Sequence, residues 1–315
     1  MSLFFGYCGL NKMESKSILV IGAGAVGSAF LESSQGIFKK VGIFDGDIIS
    51  KSNLITQPFY QGCDFSSPVS KVAFSVNKLN SLNSGTEYKG YERYFTEKDF
   101  ETMKEYDLIA DFTDNVNSRK IINAGCVKYG KAAVFVSLNE KEASLFFYKG
   151  SACFNCLFRN SIGHVKEGCE SIVSAPENEF ISFLKENIIE FASNKIEGGR
   201  IVLFNLSNKR VLSSMLKKDM ECEVCVRHTM KKFEDGFLQV CSSGIKFSYG
   251  KKLNLKELSS MLSGGRLYGE YLIFNENNRS ILVSSDGDFL FTGYTREEAG
   301  KLITVLVSQD PEKKE

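Results

Sequence analysis

SILVIGAGAVG, residues Ser17 to Gly27, is the stretch on which the fold turns. Its first half, Ser17 to Gly22, is an apolar run closed by glycine, the character of a strand buried on both faces of a parallel sheet. Its second half fits GxGxxG, and a helical pattern from Gly27 to about Gln35 and a second apolar run, Val41 to Phe44, follow. Strand, glycine turn, helix and strand make a βαβ unit. Gly22, Gly24 and Gly27 permit the tight turn, let backbone N–H groups approach a phosphate, and let the helix pack on the sheet. Asp45 ends the second strand, where a carboxylate can accept from ribose hydroxyls. The plain alternative is a glycine turn in an ordinary α/β sheet. The flanking strand and helix favour nucleotide binding, without separating NAD from ATP.

Working outward, Asp99 to Tyr106 reads as a helix, Asp107 to Phe112 as a buried strand, and Asn117 to Tyr129 as a helix. Ala132 to Leu138 and Ala143 to Tyr148 read as strands. Alternating strands and helices imply an α/β fold with a mostly parallel, doubly wound sheet. Ile162 to Glu179 has no period and reads as a long loop, a length usually tied to function. Phe180 to Asn194 recovers helical spacing, and Gly199 to Leu206 reads as an edge strand. After Cys225 the texture changes. Leu238 to Tyr249, Gly269 to Phe274, Ser280 to Ser284 and Phe289 to Gly293 alternate like half-buried strands, with Leu253 to Leu262 and Thr295 to Val307 as helices. Two units are expected, 1–232 and a small α+β unit at 233–315, the last residues from Asp310 forming a frayed tail.

Bulk properties narrow the function classes. Of 315 residues, 43% are apolar and 24% charged, and 39 basic residues oppose 38 acidic ones without a Lys/Arg block. Nothing there suggests nucleic acid as a partner. The longest apolar run, Ile18 to Phe30, is too short and glycine-rich to span a bilayer, and Met1 to Leu10 lacks the marks of a secretory signal. A cytoplasmic setting without membrane attachment is expected. Four of the nine cysteines fall in CxxC pairs, which in such a setting indicates metal rather than disulfides.

Three polar segments follow the second strand in order. Ser52-Asn53-Leu54-Ile55-Thr56-Gln57 comes first, then Lys71 within Val69-Ser70-Lys71-Val72, then Asp111-Phe112-Thr113-Asp114-Asn115. Adenylation needs a cation on the phosphates and a carboxylate for Mg²⁺; hydride transfer needs neither. Strand ends of a doubly wound sheet deliver such groups to one crevice. Taken singly, Lys71 is a solvated lysine and Asp114 a helix N-cap. Their joint appearance points to ATP.

Cys153-Phe-Asn-Cys156 and Cys222-Glu-Val-Cys225 form two CxxC knuckles. Each spacing lets two thiolates share one cation, and together they close an S₄ shell, so one Zn²⁺ per chain there is structural. The alternative is four unrelated buried cysteines. His228 is a bystander. Cys169, in the loop between the knuckles and near Lys166, is a candidate for covalent chemistry, although Glu167 and Glu170 oppose thiolate formation. Cys63 and Cys241 are lesser candidates, and Cys8 and Cys126 read as packing cysteines.

GAGAVG, DGD at 45–47, SNLITQ, Ser70-Lys71 and DFTDNVNSR together resemble the nucleotide site of the ubiquitin-activating, ThiF/MoeB-type (HesA/MoeB/ThiF) adenylyltransferases, over about Ser17 to Cys225. The resemblance implies a Rossmann-like sheet, Asp45 on the ribose, and Asn53, Gln57, Lys71 and Arg119 on the phosphates. It also implies Asp114 on Mg²⁺, zinc in the knuckles, and a crossover loop at about 160–179 carrying Cys169. The implied activity is ATP-dependent adenylation of the C-terminal carboxylate of a small ubiquitin-like or sulfur-carrier protein ending in Gly-Gly. A homodimer would carry it out, with thioester or persulfide chemistry on Cys169 to follow. Two features depart from the family. Thr56 stands where relatives carry arginine, and Met1 to Lys16 lacks their arginine-rich segment. Triphosphate charge must then be met by Arg119, Arg93, Arg159 or a second chain. A partner subunit that binds nucleotide or carrier without chemistry is therefore a second reading. Adenylation of a peptide C-terminus in peptide-antibiotic maturation is a third. An NAD-dependent dehydrogenase, with only the glycine motif in its favour, is a fourth.

Overall fold

Side chains along the first strand decide the layering. In the computed structural model, which describes residues 13–160, 174–229, 237–240, 244–249, 251–262, 264–277 and 279–307, β1 (Met13–Ile21) sends Ile18 and Val20 into one apolar cluster and Leu19 and Ile21 into another. Successive strand residues face opposite sides, so a strand apolar at every position must be covered on both. α1 (Ala25–Ser33) and β2 (Phe38–Phe44) follow, then the single-turn α2 (Asn53–Thr56), α3 (Lys71–Ser81) and β3 (Glu87–Tyr91). A 3-10 helix at Glu97–Glu105, begun by a Thr96–Asp99 capping box, precedes β4 (Leu108–Asp111) and α4 (Val116–Tyr129). β5 (Ala132–Leu138), β6 (Glu142–Tyr148), α5 (Phe154–Asn160), α6 (Asn178–Ala192), β7 (Arg200–Asn205) and β8 (Val211–Met215) complete the first sheet.

The strand order is β3-β2-β1-β4-β5-β6-β7-β8. The first five strands are parallel, and β6, β7 and β8 are added antiparallel. The sheet is thus mostly parallel, with Phe30, Leu79, Phe180 and Leu184 of α1, α3 and α6 on one face and Ile121, Ile122 and Cys126 of α4 on the other. The expected edge strand is not an edge: β8 pairs outside β7, from Arg200 opposite Met215 to Phe204 opposite Val211. All five residues of VLSSM are exposed, so no half-buried pattern marks the strand in the sequence. α3 and β3 add to the elements expected from the sequence, and only α3 carries a periodic pattern. Val72, Val76 and Leu79 recur at helical spacing behind the Ser70 cap, whose side chain accepts from Ala73 N. The strand EYKGY has only Tyr91 buried.

A second sheet is wholly antiparallel, in the order β11 (Arg266–Tyr268), β12 (Tyr271–Glu276), β13 (Arg279–Ser284), β14 (Asp288–Thr292), β10 (Gly244–Ser248), β9 (Phe237–Val240). The run from Leu238 to Tyr249 is two strands rather than one, Gly244 lying opposite Val240. Ile281, Val283, Phe289 and Phe291 pack with Leu255 and Leu258 of α7 (Leu255–Met261) and with Ile303 and Leu306 of α8 (Arg296–Val307). Among the described residues no helix is long and apolar enough to cross a membrane.

Candidate functional site

The order of the parallel strands reverses between β1 and β4, the point where such sheets open a crevice at their carboxyl ends. Gly22 leaves β1 there. Its φ is +96°, and a Cβ would lie 2.9 Å from the carbonyl carbon of Phe112, just past β4. At Gly27 a Cβ would lie 2.0 Å from the Gly22 oxygen, so helix and turn close on each other only without a side chain. Gly24 differs: a Cβ would meet nothing within 4 Å. It sits at the N-cap of α1 and supplies no side-chain cap, leaving first-turn N–H groups without that partner on the open side.

The glycine turn is pinned from two directions. Asp45 Oδ2 accepts from Ala23 N at 2.7 Å, and its Oδ1 from Asp47 N at 2.8 Å. Tyr60, fully buried, donates to the Ala23 oxygen at 2.7 Å. Asp45, the expected ribose carboxylate, therefore also braces the loop.

Lys71 reaches the same place by a short zipper. Ile49 N donates to the Val69 oxygen at 2.8 Å and Lys71 N to the Asp47 oxygen at 3.0 Å. The Lys71 ammonium is buried and donates to Asp47 Oδ2 at 3.1 Å, while Tyr94 donates its hydroxyl to Asp47 Oδ1 at 2.6 Å. Burial pulls the lysine pKa down, but the Asp47 and Asp45 carboxylates outweigh it, and the net shift is upward. The lysine stays charged. Asp47, Tyr94 and Tyr60 were not sequence candidates. DGD and the aromatic Tyr91-Glu-Arg-Tyr94 run were visible, but nothing in their spacing said they meet.

The remaining candidates divide. Gln57 is buried, and its Oε1 has no hydrogen-bond partner among the described residues. Asn53 Oδ1 accepts from Ser50 N at 2.9 Å, and the Thr56 hydroxyl bonds back to the Asn53 oxygen at 3.5 Å. Asn115, not Asp114, caps α4, its Oδ1 accepting from Ser118 N at 2.7 Å; Asp114 is exposed beside it. Arg119 is buried and donates to the Thr113 and Val136 carbonyls at 2.5 and 2.7 Å. Arg93 pairs with Asp99 at 2.7 Å and stacks over Phe44 and Tyr91. Both arginines are thus engaged with the protein's own groups. Asp111 is wholly buried, its Oδ2 has no hydrogen-bond partner among the described residues, and burial raises its carboxyl despite Arg119 and Thr113.

The four knuckle cysteines come together. Their sulfurs all lie within 4.8 Å of one another, with 3.9 Å between Cys153 and Cys156, 3.7 Å between Cys153 and Cys222, and 3.5 Å between Cys156 and Cys225. A tetrahedral site with Zn–S of about 2.3 Å has S···S edges of about 3.8 Å, so the donor set fits zinc. Burial pushes the Cys153 thiol up to about 12; a bound cation is what lets such thiols ionise together. Asn123 Nδ2 donates to Cys153 Sγ at 3.6 Å and Asn155 Nδ2 to Cys222 Sγ at 3.7 Å, while Asn123 Oδ1 holds Phe154 N at 2.9 Å. Both asparagines escaped the sequence reading. His228 is exposed and outside the cluster. Cys126 is buried, and burial raises its thiol; Cys63, half-buried, is raised by burial and by Asp64. Cys8, Cys169 and Cys241, and the side chain of Arg159, lie outside the described residues.

The model of the ThiF family matches residues 1–224. This chain belongs to the ThiF family. Its similarity to curated relatives is moderate. "Adenylyltransferase and sulfurtransferase MOCS3" of Dictyostelium discoideum is 28% identical over 291 residues, covering 88% of this chain and 67% of that protein. The Aedes aegypti protein of the same name is 29% identical over 236 residues, covering 70% of this chain but 52% of its own length. This ThiF-family chain thus spans between about half and two thirds of these relatives. Among solved structures, Escherichia coli MccB with MccA-N7isoASN superposes with a TM-score of 0.55 at 16% identity, over 68% of each chain. PaaA superposes with 0.53 at 14% identity, over 66% of each. At such identities the likeness is one of fold.

Proposed function

We propose that this ThiF-family chain uses ATP to adenylate the C-terminal carboxylate of a small ubiquitin-like or sulfur-carrier protein. The observation that supports the reading is the strand-order switch point, where an uncapped glycine turn leaves β1 braced by Asp45, buried Lys71 pairs with Asp47, and exposed Asp114 follows β4. ATP with Mg²⁺ would supply an electrophilic α-phosphorus and a pyrophosphate leaving group. The protein's part is positioning and charge. Gly24 leaves room for backbone N–H groups to meet phosphate, Asp45 would accept from the ribose hydroxyls, and Gln57 would contact a phosphate. Lys71 offers a cation to the phosphates and Asp114 a carboxylate to Mg²⁺. The carrier's carboxylate oxygen bonds to the α-phosphorus as the bond to pyrophosphate breaks.

In this reading residues 1–232 form the adenylation unit and 233–315 an α+β appendage. One Zn²⁺ in the knuckles is structural, a homodimer is the working form, and Cys169 takes any later thioester or persulfide step. A Gly-Gly terminus on the carrier, Asn53 on a phosphate and a cytoplasmic setting belong to the same proposal. A second reading, a partner subunit without chemistry, is favoured by Thr56 together with the engagement of Arg119 and Arg93 by protein groups. ATP–pyrophosphate exchange by the purified chain, with candidate carriers added, decides between them. Carrier-dependent exchange is expected, and nucleotide binding with no exchange leaves the partner-subunit reading.

A further inference from the structure

Among the described residues, the Asp47 carboxylate accepts from Lys71 on Oδ2 and from the Tyr94 hydroxyl on Oδ1. The Tyr94 ring lies over Gly46, where a Cβ would come within 2.5 Å of it. The Gly46 backbone is outside the left-handed region, so the ring, not the backbone, demands glycine there. Gly46 and Tyr94 line a small cleft together with Tyr271, Ser284, Asp288 and Phe289 of the second sheet. Tyr271 also stands near Glu92 and Ser70, and Ser70 caps the helix that Lys71 begins.

We propose that Tyr94 is a positioning residue for Lys71, acting through Asp47, and that the C-terminal sheet is the wall that keeps Tyr94 in place. This rests on the adenylation reading above. A lysine held by an aspartate serves an incoming phosphate only as far as that aspartate shares it. The phenol takes part of the Asp47 charge and fixes the carboxylate, so Lys71 is aimed without being locked. With the hydroxyl removed, Asp47 leans harder on Lys71 and competes with phosphate. The C-terminal unit is then part of the nucleotide site.

The test is a double-mutant cycle on ATP affinity, read by isothermal titration of the full chain with ATP and Mg²⁺. Tyr94→Phe keeps the ring and removes one charge-assisted hydrogen bond, so affinity should fall about tenfold. In a Lys71→Met background the same change should cost less than about twofold, because the group through which it acts is gone. Gly46→Ala displaces the ring by a different route; it should reproduce the loss and add nothing to Tyr94→Phe. Equal losses with and without Lys71 would overturn the proposal, since Tyr94 would then act by packing alone. Failure of wild type to bind ATP would remove the adenylation reading and this inference together, and is seen before any variant is made.

Discussion

Lys71 is a buried cation that remains charged because Asp47 and Asp45 overcome its desolvation, and that is the state in which it can serve a phosphate. Lys71→Ala and Asp114→Ala should each lower carrier-dependent ATP–pyrophosphate exchange by about two orders of magnitude, the usual scale for groups that stabilise developing charge. Unchanged exchange in either variant would remove that residue from the site. Thr56 poses the opposite question. Its hydroxyl bonds into its own helical turn, and Arg119 and Arg93 already serve carbonyls and Asp99. Thr56→Arg should therefore raise exchange by about tenfold or more, since a guanidinium adds paired donors to an undersupplied triphosphate. No change would mean that the cation arrives from a second copy of the chain.

Among the elements, the turn from β1 to α1 separates two uses of glycine. Gly27 is needed by the fold: a Cβ there would overlap the Gly22 oxygen at 2.0 Å. Gly27→Ala should cost about 1–3 kcal/mol in urea unfolding, the range for an overpacked contact. Gly24 is open toward the crevice, so Gly24→Ala should leave unfolding within about 1 kcal/mol of wild type while weakening ATP binding. If both variants lost stability equally, the contrast between a packing glycine and a phosphate-facing one would be wrong.

Across the whole molecule, the knuckles join parts of the chain that are far apart in sequence. Cys153 follows β6 and Cys222 follows β8, 69 positions on, and their sulfurs lie 3.7 Å apart. A cation there closes a long loop and contributes folding energy. Cys222→Ser should lower zinc content and melting temperature together, as should a strong chelator on wild type. Well under one zinc per chain in carefully prepared protein would sink the assignment.

Periodicity and spacing alone determined the parallel core, the glycine turn and the paired knuckles. The unbroken apolar run at Ile18 to Ile21 requires cover on both faces, and CxxC puts two thiols within reach of one ion. These are local properties, written in neighbouring residues. Only the tertiary structure decided that Lys71 meets Asp47, that Tyr94 meets Asp47 from 47 positions away, that Arg119 turns inward to two carbonyls, and that exposed β8 extends the sheet. The physical reason is the same in each case. Hydrophobic pattern records which face is buried, but hydrogen-bond pairing among polar groups is set over about 3 Å between distant elements, and no local repeat encodes it.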